Sequence, residues 1–285
     1  MAELVEALLA PLSYAFIQRG LLAALMVGVL CSVIGCYVVL RSMAFLGDAM
    51  AHAVLPGVAV AYILGRNLTL GALAAALVVA LGVGLFSRRG MIKEDTAIGV
   101  LFAAALSLGV VLISSIRTYA VDLSHILFGN VLGVSSLDLW LTAILGGIIL
   151  IAILVFYRQF LVISFDPVLA ATLRIRVAFF NNFLLVLLAL TIVISLQTVG
   201  VGLVAAMLVT PAATAYLLVR RLPSMMLLSG LIGGFSSLVG LFASYHLNVA
   251  SGAAIVLTTT VIFLVVFLFA PQRGFVWDLS RRFVA

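Results

Sequence analysis

Apolar residues run along this chain in blocks of about twenty, and the polar positions gather at the block edges. The pattern predicts nine membrane-crossing helices, near 15–40, 43–64, 68–87, 96–116, 138–157, 178–196, 199–219, 225–246 and 250–270. Several blocks are interrupted by glycine or polar residues, so the count lies between eight and ten. A bilayer core is about 30 Å thick and needs roughly 20 helical residues to cross. Backbone polar groups must be satisfied within the segment, which leaves helices or a closed barrel. The blocks lack the two-residue alternation of barrel strands. The expected fold is therefore all-α and polytopic: one transmembrane domain over 1–285, with no soluble domain and no long linker.

Composition strengthens this reading. The chain is 66% hydrophobic and 8% charged, with a mean hydropathy of +1.41. The opening "MAELVEALLAPLSYAF" carries acids where a signal peptide would carry bases. Leu4, Leu8 and Leu12 recur at helical spacing, predicting a short interfacial helix over 2–12 that rests on membrane lipid. Cys31 and Cys36 share the first block, about 140° apart around a helix, and read as packing residues rather than metal ligands or a disulfide.

The basic residues sort by side. Twelve of the fifteen lie after odd-numbered blocks, among them Arg41, Arg89, Lys93, Arg158, Arg174, Arg176 and Arg221. Only Arg19, Arg66 and Arg117 lie on the other side. The positive-inside rule then puts the N-terminus outside and the C-terminus in the cytoplasm. The high pI of about 9.8 thus reflects topology and not nucleic-acid binding.

Of the nine acids, eight fall in tails, loops or block ends and Asp48 alone lies inside a predicted span, with His52 four residues later. An acid at the centre of a span costs about 2.5–3.5 kcal/mol on insertion scales, so it faces a bundle interior or water. Residues i and i+4 share a helix face. An aspartate and a histidine so placed can share one divalent cation. They can equally form a proton relay or a simple hydrogen bond that locks packing. Pro56 and Gly57 follow, predicting a kink that frees carbonyls beside the pair.

Other stretches carry weaker signals. "VDLSHILFGNVLGVSS", 121–136, is too short to cross and reads as a re-entrant or interfacial segment at the outer mouth, where Asp122 and His125 are candidate cation guides, with an ordinary surface histidine the other reading of His125. "SFDPVLAATLRIR", 164–176, begins with a helix-start signal, Asp166 before Pro167. It predicts a short cytoplasmic helix over 165–176. In the inner loop before the fourth block, Asp95 and Thr96 are expected to cap the next span. Pro211 sits mid-block among small residues and removes one helical hydrogen bond. No GxxxxGK[ST] loop is present and Lys93 is the only lysine, so a P-loop ATPase is excluded. The motifs HExxH and GxSxG are also missing.

Four stretches together, "RSMAFLGDAMAHAVLPGVAVAY", "EDTAIGVLFAA", "DLSHILFGNVLGV" and "TVGVGLVAAMLVTPAATAYLL", resemble the bacterial ABC-3 permeases over roughly residues 14–270. These are the membrane subunits of ATP-driven importers of manganese, zinc and iron. The resemblance implies a type II importer permease bundle, related to that of the vitamin B12 importer. It implies a homodimer in the bacterial inner membrane, cytoplasmic ABC ATPase subunits and an extracytoplasmic metal-binding protein. No permanently bound cofactor is implied; a divalent metal is cargo. Asp48 and His52 match the family's pore metal ligands. Phe165, Asp166 and Pro167, with Leu169 and Leu173 on the same segment, match its ATPase-coupling helix. Ala51 stands where a serine is common. "DLSHILFGNVLGV" leans towards the manganese or chelated-iron branch. Two rival readings are a proton-coupled metal carrier that uses Asp48 and His52, and a membrane enzyme with Asp48 as acid–base.

Overall fold

The computed structural model describes residues 14–87, 92–115 and 131–270, and among these it contains helices and no strands. The helices are α1 (Ala15–Leu40), α2 (Leu46–Ala53), α3 (Leu55–Ile63), α4 (Leu68–Ser87) and α5 (Glu94–Ser114). A 3₁₀ turn at Val131–Gly133 precedes α6 (Ser136–Val155). Then come α7 (Tyr157–Phe165), α8 (Pro167–Thr172), α9 (Val177–Val199), α10 (Val201–Leu218), α11 (Leu222–Leu247) and α12 (Ser251–Phe269). With α2 and α3 taken as one broken crossing, nine segments among the described residues are long and apolar enough to span a bilayer. They coincide with the nine expected blocks to within a few residues. The segments over 2–12, 88–91 and 116–130, the last with Asp122 and His125, lie outside the described residues.

Burial divides the helices into two kinds. α1 packs its length against α10 and α11, and its buried face includes Val27, Cys31, Ile34 and Tyr37. α5, α6 and α12 bury few residues and present apolar side chains such as Val100, Ile148 and Val261 outward. In a membrane this is expected, because hydrocarbon is as good a neighbour as leucine. What draws helices together is close backbone approach and cross-helix hydrogen bonding. Both occur between α1 and α11. A Cβ on Gly233 would meet the Gly28 carbonyl carbon at 3.1 Å, while Ser229 Oγ donates to Ser32 O at 2.8 Å and Ser237 Oγ to Ala24 O at 2.9 Å. The cysteines behave as expected: both are buried and free, and Cys31 Sγ lies 3.4 Å from Ser195 Oγ.

Gly35 gives the tightest test of the α1–α10 crossing. A side chain there would run into the Leu208 carbonyl, which is backbone and cannot rotate away. Gly35→Ala is expected to lower stability by about 1–3 kcal/mol through forced separation of the helices. Thermal unfolding of the detergent-purified protein checks this; an unchanged melting temperature would contradict the crossing.

Chain reversals follow local chemistry. Gly200, at φ 87°, turns α9 directly into α10, and Asn248, at φ 53°, ends α11 in the left-handed region. Ser135 opens α6 with a capping box, its hydroxyl accepting from Asp138 N while Asp138 accepts from Ser135 N. Pro211 remains inside a continuous α10. Its lost hydrogen bond does not divide the helix. Asp95 and Thr96 are not caps: α5 starts at Glu94 with Lys93 as its N-cap residue, and no side chain caps it.

Candidate metal-transfer site

The second crossing is two helices rather than one kinked helix. α2 stops at Ala53, and α3 begins at Leu55 with Pro56 in its first turn. Pro56 has no N–H to offer the His52 carbonyl, so the helical ladder fails there. Val54 N–H points to that carbonyl instead. The break thus falls just before Pro56, beside the pair, where the proline is expected to interrupt the helix. Gly57 serves a different contact. It meets Gly71 of α4 backbone to backbone, so close that a Cβ on either would overlap the other's carbonyl oxygen.

α2 itself is held on both flanks. Gly47 lies against α10, where a Cβ would come within 2.9 Å of Leu208 Cδ2. Leu46, Ala49, Met50 and Ala53 are buried, and α5 closes the other side. Asp48 and His52 take the remaining face. His52 Nε2 lies 3.6 Å from Asp48 Oδ1, with the side chains 33% and 47% exposed respectively. That spacing is longer than a good hydrogen bond and leaves both groups accessible. An oxygen and a nitrogen donor so separated can close on a shared cation. Among the described residues no cluster of three or more His, Cys, Asp or Glu side chains is placed to hold a metal.

Aromatic rings back the imidazole. Phe102 of α5 lies 6.2 Å from the His52 ring and 5.5 Å from Phe45, edge to face with the latter. Phe45 and Phe102 carried no signal in the sequence, because apolar rings in an apolar block look alike.

The segment after α6 is shorter than expected. Phe165 is the last residue of α7, and the helix that follows covers only Pro167–Thr172 instead of 165–176. Arg174 ends it at φ 57°. The predicted start is present: Asp166 Oδ1 accepts from Val168 N and Leu169 N, both at 2.9 Å. Phe165, Val168, Leu169 and Leu173 are all exposed, which is unusual for apolar side chains beside the basic Arg174 and Arg176. A cavity of about 430 Å³ opens next to this segment, lined by Ser42, Phe165, Tyr216 and Arg220 among others. It takes no wall from α2 and is separate from the Asp48–His52 pair.

The sequence model described as "ABC 3 transport family" matches residues 13–270. This chain belongs to that family. A Listeria monocytogenes protein named manganese transport system membrane protein MntC is 47% identical over 96% of this chain and 97% of its own. A Streptococcus gordonii manganese import system permease protein, ScaB, is 45% identical over 91% and 93%. A Haemophilus influenzae protein named as a probable iron transport system membrane protein is 40% identical over 93% and 98%. Among solved structures, PsaBC from Streptococcus pneumoniae in complex with Fab contains a chain similar over 97% of this one and 99% of its own. That likeness has a TM-score of 0.83 and 41% identity. A putative metal-chelate type ABC transporter in an inward-facing conformation shares the fold, with a TM-score of 0.69 at 16% identity. The family reading from the four sequence stretches is thereby upheld, and so is the all-α permease bundle.

Proposed function

We propose that this chain is the membrane-spanning permease subunit of an ATP-driven importer of a divalent transition metal, with manganese as cargo. The observation that carries the reading is the Asp48–His52 pair, one turn apart and open on one face, in a chain of this transport family. Manganese is favoured over iron and zinc by relatives named for manganese over more than nine-tenths of this chain. Oxygen and nitrogen donors suit manganese(II), and water or backbone oxygens complete the shell. A transport site must also release its ion. Two protein ligands hold less firmly than a closed four-ligand site, which traps a metal. The proton-coupled carrier is not favoured, since these relatives are named as members of transport and import systems.

The chain supplies the path and separate ABC ATPase subunits supply the work. α8 and the Leu173 that follows it meet them at the cytoplasmic face, where the exposed Val168, Leu169 and Leu173 become buried. An extracytoplasmic metal-binding protein delivers the ion at the opposite face, where Asp122 and His125 guide it inward. Two copies form the permease, and the outward apolar faces of α4, α5, α6 and α12 meet lipid or the second copy. The N-terminus is outside and the C-terminus is inside the bacterial inner membrane. Uptake by proteoliposomes carrying permease, ATPase and binding protein, with manganese(II), iron(II) and zinc(II) compared, tests the proposal. ATP-dependent uptake that favours manganese is the expected result.

The orientation has its own check. A single cysteine introduced at Arg221 is expected to react with a membrane-impermeant thiol reagent only from the cytoplasmic side, and one at His246 only from outside. The two positions begin and end α11 and so lie on opposite faces. Reaction of both from one side would overturn the nine-crossing topology.

A further inference from the structure

Arg41 counts in the sequence as one of many basic residues at a block edge, yet its side chain is only 9% exposed. It follows α1 directly, and its Nη2 donates to Glu94 Oε1 at 2.8 Å and also to Asn181 Oδ1. Asn181 Nδ2 donates in turn to Glu94 Oε1 at 3.1 Å. The three side chains close a triangle among the end of α1, the start of α5 and the start of α9. Burial pushes the Arg41 guanidinium down from its ordinary range, and Glu94 opposes that shift. Buried ion pairs are poor sources of stability, because apolar residues of similar volume often do as well. Their better-attested use is to hold one arrangement against others.

We propose that the Arg41–Glu94–Asn181 triangle is a positioning node for the metal pair, a role that rests on the pore assignment given above. Two routes lead from the node to the pair. Along the chain, only residues 42–45 separate Arg41 from α2. Ser42 is held at φ 57°, Met43 is buried, and Met43 N donates to Val38 O at 2.9 Å. The turn is therefore tight, and the start of α2 follows Arg41. Through space, α5 runs from Glu94 to Phe102, eight residues or roughly 12 Å at 1.5 Å per residue. There Phe102 lies beside His52. Glu94 thus sets one edge of the site through Arg41 and the other through Phe102. Asn181 adds the third reference, since α9 also packs against α2 and begins five residues after Thr172 of α8. A shift of α8 that moved α9 would reach the pair through this node.

The test uses the permease–ATPase complex in detergent without the binding protein, titrated with manganese(II) alone. Free manganese is followed by its EPR signal, and the melting temperature is measured alongside. Asn181→Ala removes the bridging amide and leaves the ion pair. The double variant Arg41→Gln with Glu94→Gln removes both charges, so that neither is left buried alone. Both variants are expected to raise the manganese Kd about 10-fold, the lower end for groups that orient metal ligands, while melting close to wild type. Unchanged Kd in both variants, with or without a lower melting temperature, would overturn the node and leave only a structural contact. Asp48→Ala is the reference. If it binds manganese as wild type does, the pore assignment itself fails, which a node defect alone would not produce.

Discussion

Asp48→Ala and His52→Ala are each expected to reduce metal uptake by about 100-fold or more while leaving the assembled permease intact. Removing a group that merely orients a ligand typically costs 10–100-fold, so loss of the ligand itself should exceed that range. The damage should stay local. Both side chains are only partly buried, and they lie off the packed face made by Leu46, Ala49 and Met50. His52→Ala also removes the ring beside Phe102, but that contact lies at the edge of the open face. Uptake of manganese by proteoliposomes, read beside the melting temperature and the elution volume of the complex, separates transport from assembly. Wild-type uptake by both single variants would remove the pair from the metal's path.

The second large effect concerns α8. Leu169→Asp combined with Leu173→Asp is expected to weaken ATPase association by about 100-fold, or to leave hydrolysis running without uptake. Burying one leucine contributes about 1.5–3 kcal/mol, so losing two such contacts costs at least roughly 3 kcal/mol before any desolvated charge is counted. The geometry favours a docking role. Asp166 fixes the start of the helix, and the apolar side chains that follow face outward beside Arg174 and Arg176. On the proposed function, the permease must sense the state of a separate ATPase by contact, which requires a surface that binds the two states differently. Co-purification, ATP turnover and uptake on the same variant distinguish the outcomes. Normal values in all three would make α8 an ordinary surface helix and turn attention to the 88–95 loop.

The two sites differ in how far sequence alone could reach them. The proximity of Asp48 and His52 was legible because i, i+4 spacing is a property of one helix, and the lone acid in a hydrocarbon-length block singled it out. The start of α8 was legible for the same reason, since Asp166 and Pro167 act on neighbouring backbone. Its end was not: Arg174 leaves the helical region only two residues past Thr172, although Leu173 to Arg176 read as a continuation. The break at Val54 was legible through Pro56, whose missing N–H disrupts the ladder on its N-terminal side.

The apolar blocks by themselves gave the nine candidate crossings found among the described residues, their approximate ends and their helical character. Each crossing must satisfy its own backbone and match one bilayer thickness, so the information is local. The alternation of basic residues carries the expected orientation on the same terms. Only the tertiary structure decided which faces are paired, because uniformly apolar helices show no preferred side. Gly57 against Gly71, Gly35 against Leu208 and Phe102 beside His52 are choices among residues that look interchangeable in one dimension. The same holds for Arg41. Its charge reads as a topology signal, and its partner Glu94 is 53 residues away and Asn181 is 140. No spacing rule links such positions; they meet because three helix ends reach the same face of the bundle, where a buried charge has to find its partners.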